Sequence, residues 1–167
     1  GPQFILWNDD VYNYMIITEL PMDEAIKVAE SVGPVSPDAY HPPKLSVETW
    51  SLPDDYTIAQ AKANGDAILI GGKLEGVEQV DRLLKNAKAG KPDIIRIADF
   101  SGEEVVVKEL YFDGYRFHFD NSNLPAHRSE GYRGEEICRE TGADGVVRMY
   151  LKDQNGEEIE ICSYQGT

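Results

Sequence analysis

The stretch GDAILIGGKLEGVEQVDRLLKNAKAGKPDIIRIADF, residues 65–100, decides the fold class. Ala67 to Gly71 reads as a short buried strand closed by glycine. Residues 75–89 then carry apolar side chains at helical spacing, with Val77, Val80, Leu83, Leu84 and Ala87 on one face. Lys85 and Lys88 lie near the end of that helix, where cations are favoured, and Gly90 stops it. DIIRIADF, residues 93–100, is the next strand, and Ser101-Gly102 turns it into EEVVVKELYF. Strand, glycines, lysine, helix is also the order of a phosphate-binding loop. That motif needs a glycine five residues before its Gly-Lys pair and a Ser or Thr after the lysine. Counting back from Gly72-Lys73 reaches Ala67, and Leu74 brings no hydroxyl. No parallel βαβ pattern is read around it, so Gly71-Gly72 is expected to be a turn that hands the strand to the helix.

Downstream, the pattern is all strand. Asp113-Gly114 reads as a two-residue hairpin turn, which pairs Phe112 with Tyr115, Leu110 with Phe117 and Glu109 with His118. Residues 121–145 are polar and glycine-rich and read as a long loop. In VVRMYLKDQNGEEIEIC, residues 146–162, a two-residue turn would set Leu151 against Glu160. A three-residue loop, Gln154-Asn155-Gly156 with Gly156 left-handed, sets Leu151 against Ile159, Met149 against Ile161 and Lys152 against Glu158. Register follows the buried face, so the three-residue loop is expected, with Cys162 on the more polar face. The fold class is α+β: an antiparallel sheet with the 75–89 helix across one face.

Upstream, QFILWNDDVYNYMIIT (residues 3–18) holds two apolar runs around Asn8-Asp9-Asp10, a hairpin signal. The following LPMDEAIKVAESVG reads as a helix with Met22, Ala25, Ile26 and Ala29 on one face. A piece of about 30 residues is too small to hold a core alone, so it should dock on something. Residues 33–56 contain Pro34, Pro37, Pro42, Pro43 and Pro53 and read as an extended linker, within which Ser46 to Leu52 can pack on a neighbour. The expected division is therefore a 3–32 appendage, a 33–56 linker and a 57–167 α+β domain. Gly1-Pro2 reads as a protease scar, and the chain as a piece of a longer protein with any export signal or anchor lying upstream.

The formal net charge is −14, from 30 acidic and 16 basic residues. Such a surface repels nucleic acid and anionic membranes and suits a basic protein partner. No apolar run approaches the roughly 20 residues of a membrane span. For metals, no His-x-x-x-His or Cys-x-x-Cys spacing occurs. The Asp153–Glu158 tip resembles a calcium loop faintly, but position twelve is Tyr164, not glutamate. No cofactor is implied. For catalysis, Glu109, His118 and Asp120 form the one constellation in which a carboxylate orients a histidine. It lacks a nucleophile, and a cross-strand ion pair on a sheet face accounts for it better. The two cysteines, Cys138 and Cys162, read as two free thiols of a reducing compartment or as one disulfide of an exported chain. A bridge would pin the 121–145 loop to the last strand and contribute ~3 kcal/mol.

Several of these elements, in this order, resemble a family. They are Asn64-Gly65-Asp66, Gly72, the Lys88–Lys91 end of the helix, Arg96, Asp113-Gly114, Asp120 and the Cys138/Cys162 pair. Together, over about residues 57–164, they are similar to small exported or lipoprotein domains of Gram-positive bacteria catalogued as domain of unknown function 4362. One place departs: the family's Thr-x-Glu-Gly-Asp-Pro turn is here Ser101-Gly102-Glu103-Glu104-Val105. Trp7, Tyr14 and the Ala29-Glu30-Ser31 helix end resemble the closing hairpin and helix of another uncharacterised Gram-positive envelope domain, some of whose members are associated with anti-sigma factors. The resemblance implies an extracytoplasmic protein and a Cys138–Cys162 disulfide, and carries over no catalytic residue. The expected function is a non-enzymatic binding, sensing or protein-interaction module of the envelope, its partner another protein or another domain of the same chain. Two alternatives stand beside it: an acidic inhibitor or immunity-type protein bound to a basic partner, and a hydrolase using Glu109, His118 and Asp120.

Overall fold

The computed structural model describes residues 2–8, 13–31, 43–124 and 128–166, and divides the chain into two units, 1–41 and 42–167. In the first, β1 (Gln3–Asn8) and β2 (Asn13–Thr18) pair antiparallel, and α1 (Met22–Ser31) lies against both. The expected hairpin and helix are present; the hairpin tip beyond Asn8 lies outside the described residues. Phe4 faces Ile17 and Leu6 faces Met15 across the ladder, and all four are more than half exposed. Of the face read on the helix, Ala25 is buried while Met22 and Ile26 are exposed.

The second unit is built on a six-stranded sheet in the order β4-β3-β5-β6-β7-β8. Its strands are β3 (Ala67–Ile70), β4 (Lys73–Glu75), β5 (Asp93–Asp99), β6 (Val106–Phe112), β7 (Phe117–Asn123) and β8 (Arg128–Gly134). A three-stranded sheet follows, β9 (Glu136–Thr141), β10 (Val146–Lys152) and β11 (Glu158–Gln165), with β10 in the middle. Two helices complete the unit, α2 (Ile58–Asn64) and α3 (Val77–Lys88). The α+β class and the amphipathic helix are as read from the sequence. Val80 and Leu83 of α3, with Ile137, Met149 and Leu151 of the small sheet, cover one face of the large sheet, over Ile95, Ile97, Leu110 and Phe119. The other face carries a second, smaller core of Ile68, Ala98 and Val107 under Leu52, Tyr56 and Ala61.

Four expectations change. First, β3 and β5 pair parallel, Ala67 opposite Ile97, because α3 returns the chain to the same end of the sheet. Gly71-Gly72 closes a two-residue hairpin between β3 and β4, both with the positive φ (55° and 73°) that such a turn requires. The entry to the helix is Gly76, with φ 89°, where an added Cβ would lie 3.1 Å from Ala67. Second, residues 43–56 are not a linker. A short 3-10 turn, Thr49–Ser51, and the buried Leu52 and Tyr56 pack them onto the sheet, as the Ser46–Leu52 reading allowed. Third, the 121–145 segment read as a loop contains β8 and β9 in full. Their side chains are mostly polar and exposed, so they carry no apolar alternation to read.

The fourth change concerns the cysteines: both are free. Cys138 on β9 lies opposite Tyr150 and Cys162 on β11 lies opposite Met149, so neighbouring residues of β10 send them to opposite faces. Two strand spacings, about 9–10 Å, also separate their backbones, beyond the reach of a disulfide. The loop before β11 is as expected: Leu151 faces Ile159, Lys152 faces Glu158, and Gly156 is left-handed. A bulge between Met149 and Tyr150 then displaces the ladder, setting Met149 against Cys162 rather than Ile161 and burying the thiol that was assigned to the wet face.

An ion pair sits in the interior. The Arg96 and Asp66 side chains are 0% and 1% exposed. Arg96 Nε donates to Asp66 Oδ1 at 2.9 Å; Nη2 is also 2.9 Å from that oxygen but is misaligned for a hydrogen bond. Removing either partner should cost about 3–5 kcal/mol by stranding the other charge. Urea unfolding of Arg96→Met, Asp66→Leu and the double variant checks this, and the double should cost less than the sum. In the same samples, prepared without reductant and then denatured, thiol titration should count two free thiols per chain.

Candidate functional site

The ladder registers place Arg96, Glu109, Asp120 and Gly131 side by side across β5, β6, β7 and β8. They share the sheet face covered in part by residues 43–56. Arg96 Nη1 donates to the Val47 carbonyl at 2.6 Å, and the Thr49 hydroxyl donates to Glu109 Oε2 at 2.7 Å. The short turn is thus stitched onto the row, and it carries Trp50, 78% exposed, beyond the row's edge. Asp120 leans over Gly131, where an added Cβ would stand 2.8 Å from its Oδ1. Thr49, Trp50, Glu109, Asp120, Ser122 and Ser129, with Leu124 at the back, line a cavity of about 330 Å³.

Electrostatically the row is incomplete. Glu109 and Asp120 are directly opposite one another, and like charges in that position repel. Arg96 offsets one carboxylate from the other side of Glu109, but it is already engaged by Asp66. Among the described residues the Asp120 carboxylate makes no hydrogen bond or ion pair. The cavity therefore offers two carboxylates, three hydroxyls and an indole face, a set that accepts protons and holds positive charge.

His118 is not part of it. The Asp113-Gly114 turn is a four-residue loop, Asp113 to Arg116, closed by the Asp113 amide on the Arg116 carbonyl at 3.1 Å. Asp113 Oδ1 accepts from the amides of Tyr115 and Arg116, both at 2.8 Å, which a two-residue turn would not permit. The ladder moves by two residues, so Glu109 faces Asp120 while His118 faces Tyr111. His118 Nε2 lies 2.7 Å from Asp113 Oδ2. Of the three residues proposed for a hydrolase, Glu109 and Asp120 meet in the cavity and His118 is held at the hairpin tip. Burial raises the Cys138 thiol above its ordinary value and raises Cys162 to about 11, so both are protonated at neutral pH. Among the described residues no group of three or more His, Cys, Asp or Glu is placed to hold a metal ion.

Thr49, Trp50, Ser122 and Ser129 were not singled out by sequence as site residues. The exposed tryptophan in a proline-rich stretch was the available signal; its partners come from three separate strands and a turn. No family model, curated protein or solved structure matches the chain, so the site stands on its geometry.

Burial works upward on Asp113, but the hydrogen bonds from His118 and from the Arg116 and Tyr115 amides outweigh it and hold the carboxyl at about 2. A carboxyl depressed in the folded state stabilises above its unfolded value near 4 and loses that contribution as pH falls toward 2. Asp113→Asn should therefore lower the urea midpoint at pH 6, with the gap to the parent protein narrowing between pH 4 and pH 2. A gap that stays constant over that range would show that the ionised carboxylate is not what holds the tip.

Proposed function

We propose that this chain is a non-enzymatic, extracytoplasmic binding module of a Gram-positive envelope protein, and that the cavity beside Trp50 receives a basic side chain of a protein partner. The observation that carries the binding reading is the Glu109–Asp120 pair, two carboxylates set directly opposite each other and open to a cavity walled by an exposed indole. A lysine or arginine entering there relieves the repulsion, donates hydrogen bonds to the Ser122 and Ser129 hydroxyl oxygens, and lies against the Trp50 ring. The net charge of −14 steers such a partner toward the surface. Among the described residues no helix is long and apolar enough to cross a membrane. The envelope location is supported by the family resemblance of residues 57–164, and the free cysteines add nothing to it.

Titration with pentalysine and pentaarginine, followed by amide chemical shifts, tests the reading, with pentaglutamate as control. Shifts are expected at Thr49–Leu52, Glu109, Asp120 and Ser129. Trp50→Ala should weaken binding by about 2- to 30-fold, the range of a cation–π contact. Glu109→Gln with Asp120→Asn should remove the localised shifts. Shifts spread evenly over the acidic surface, or unchanged in these variants, would end it.

A further inference from the structure

A cavity of about 940 Å³ lies on the opposite face of the six-stranded sheet from Trp50. Its lining has an informative pattern along β9. Residues 135 to 140 all contribute, odd and even alike. A groove over one face of a strand meets alternate residues; a groove met by consecutive residues runs along the strand's open edge. β9 pairs with β10 on one side, and among the described residues no strand pairs with the other. Facing that edge are Leu84, Ala87 and Lys88 of α3, and Phe112 and Phe117, ring centroids 4.9 Å apart and tilted at 47°, form the floor. An ion pair of 2.6 Å from Arg139 to Asp81 ties the strand to the helix and sets the width.

The usual protections of an edge are absent or occupied. β9 contains no proline and no lysine, and its register with β10 has no bulge. The inward charge, Arg139, is neutralised by Asp81, and Glu140 is turned onto the Tyr150 hydroxyl, which donates to it at 2.6 Å.

We propose that β9 is a receptor edge, and that an extended segment of a partner protein, alternating apolar and basic residues, pairs with its backbone and fills the groove beside α3. The alternation follows from the two faces of the added strand. Side chains pointing inward meet Leu84, Ala87, Phe112, Phe117 and Ile137. Those pointing outward become cross-strand neighbours of Glu136 and Glu140, where an opposite charge is favoured. A second copy of this chain is the wrong occupant: antiparallel pairing of two β9 strands about Cys138 sets Glu136 against Glu140 twice. The groove is separate from the Trp50 cavity and recognises main chain rather than a single side chain, so it stands or falls independently.

The test uses the whole chain and three peptides: acetyl-Val-Lys-Val-Lys-Val-Lys-Val-amide, its Val-Glu counterpart, and the Val-Lys peptide N-methylated at alternate residues. Calorimetry and amide hydrogen exchange read the outcome. The Val-Lys peptide should bind with at least tenfold slower exchange within residues 136–140. The Val-Glu peptide should bind at least tenfold more weakly, and N-methylation should abolish binding by removing the ladder donors. Glu136→Lys with Glu140→Lys should weaken the Val-Lys peptide at least tenfold, while Trp50→Ala leaves it unchanged. No binding, equal binding of the N-methylated peptide, or protection at Thr49 and Asp120 in place of β9 would overturn the proposal. Self-association through β9, detected as a concentration-dependent mass lost in the double variant, would also overturn it in favour of a second copy.

Discussion

The buried contact between Arg96 and Asp66 ties together the 43–56 segment, the end of α2 and the middle of β5. Asp66 ends the link from α2 into β3, and its second oxygen accepts the Tyr56 hydroxyl at 2.6 Å. Arg96 stands at the middle of β5 and reaches the Val47 carbonyl. Asn64 donates in turn to the Tyr56 oxygen at 3.0 Å. Burial, with the hydrogen bond to Asp66, raises the Tyr56 phenol to about 12, so it remains a donor at any physiological pH. A guanidinium taken wholly out of water is costly unless it is paired, and here Asp66 supplies the opposite charge while the Val47 carbonyl of the 43–56 segment accepts from Nη1. The second core, with Leu52 and Tyr56 over Ala98 and Val107, is closed by the same network.

The network also explains why the face next to it is open. Residues 43–56 cover the sheet over β3, β5 and the near part of β6, and Thr49 is their furthest grip on the row, at Glu109. Beyond it the face carries Asp120, Ser122, Ser129 and Gly131, small or polar groups that ask for no apolar cover. The opposite face is closed by α3 and the three-stranded sheet lying next to each other, and the groove along β9 is the seam between them. The two candidate binding surfaces thus have one origin: each lies where a covering layer stops short of the sheet it covers.

How far the sequence could be read depended on whether a residue's environment was local. The 77–88 helix was legible because Val77, Val80, Leu83 and Leu84 repeat with the period of their own element. The turn before β11 was legible because one register alone sets Leu151 against Ile159. The Asp113 hairpin misled by two residues because the Asp-Gly pair signals a turn without stating its length; the carboxylate of Asp113, capping the amides of Tyr115 and Arg116, sets it. Two residues of the site, Glu109 and Asp120, were legible, but Glu109 was paired with the wrong neighbour for that reason. Trp50 and Thr49 were hidden by the prolines around them, which read as a spacer.

By itself, the sequence determined the α+β class, the main helix, most strands facing a core, the left-handed Gly156 and an excess of acidic over basic side chains. These follow from periodicity, glycine conformation and charge, which each segment carries alone. Only the tertiary structure decided that β3 and β5 run parallel, that β8 and β9 are strands, that Arg96 is buried, that the cysteines face apart, and that Glu109 stands beside Asp120. Each of those depends on which segment arrives next to which. A polar edge strand, a paired buried charge and a cross-strand neighbour all take their meaning from a partner distant in the chain.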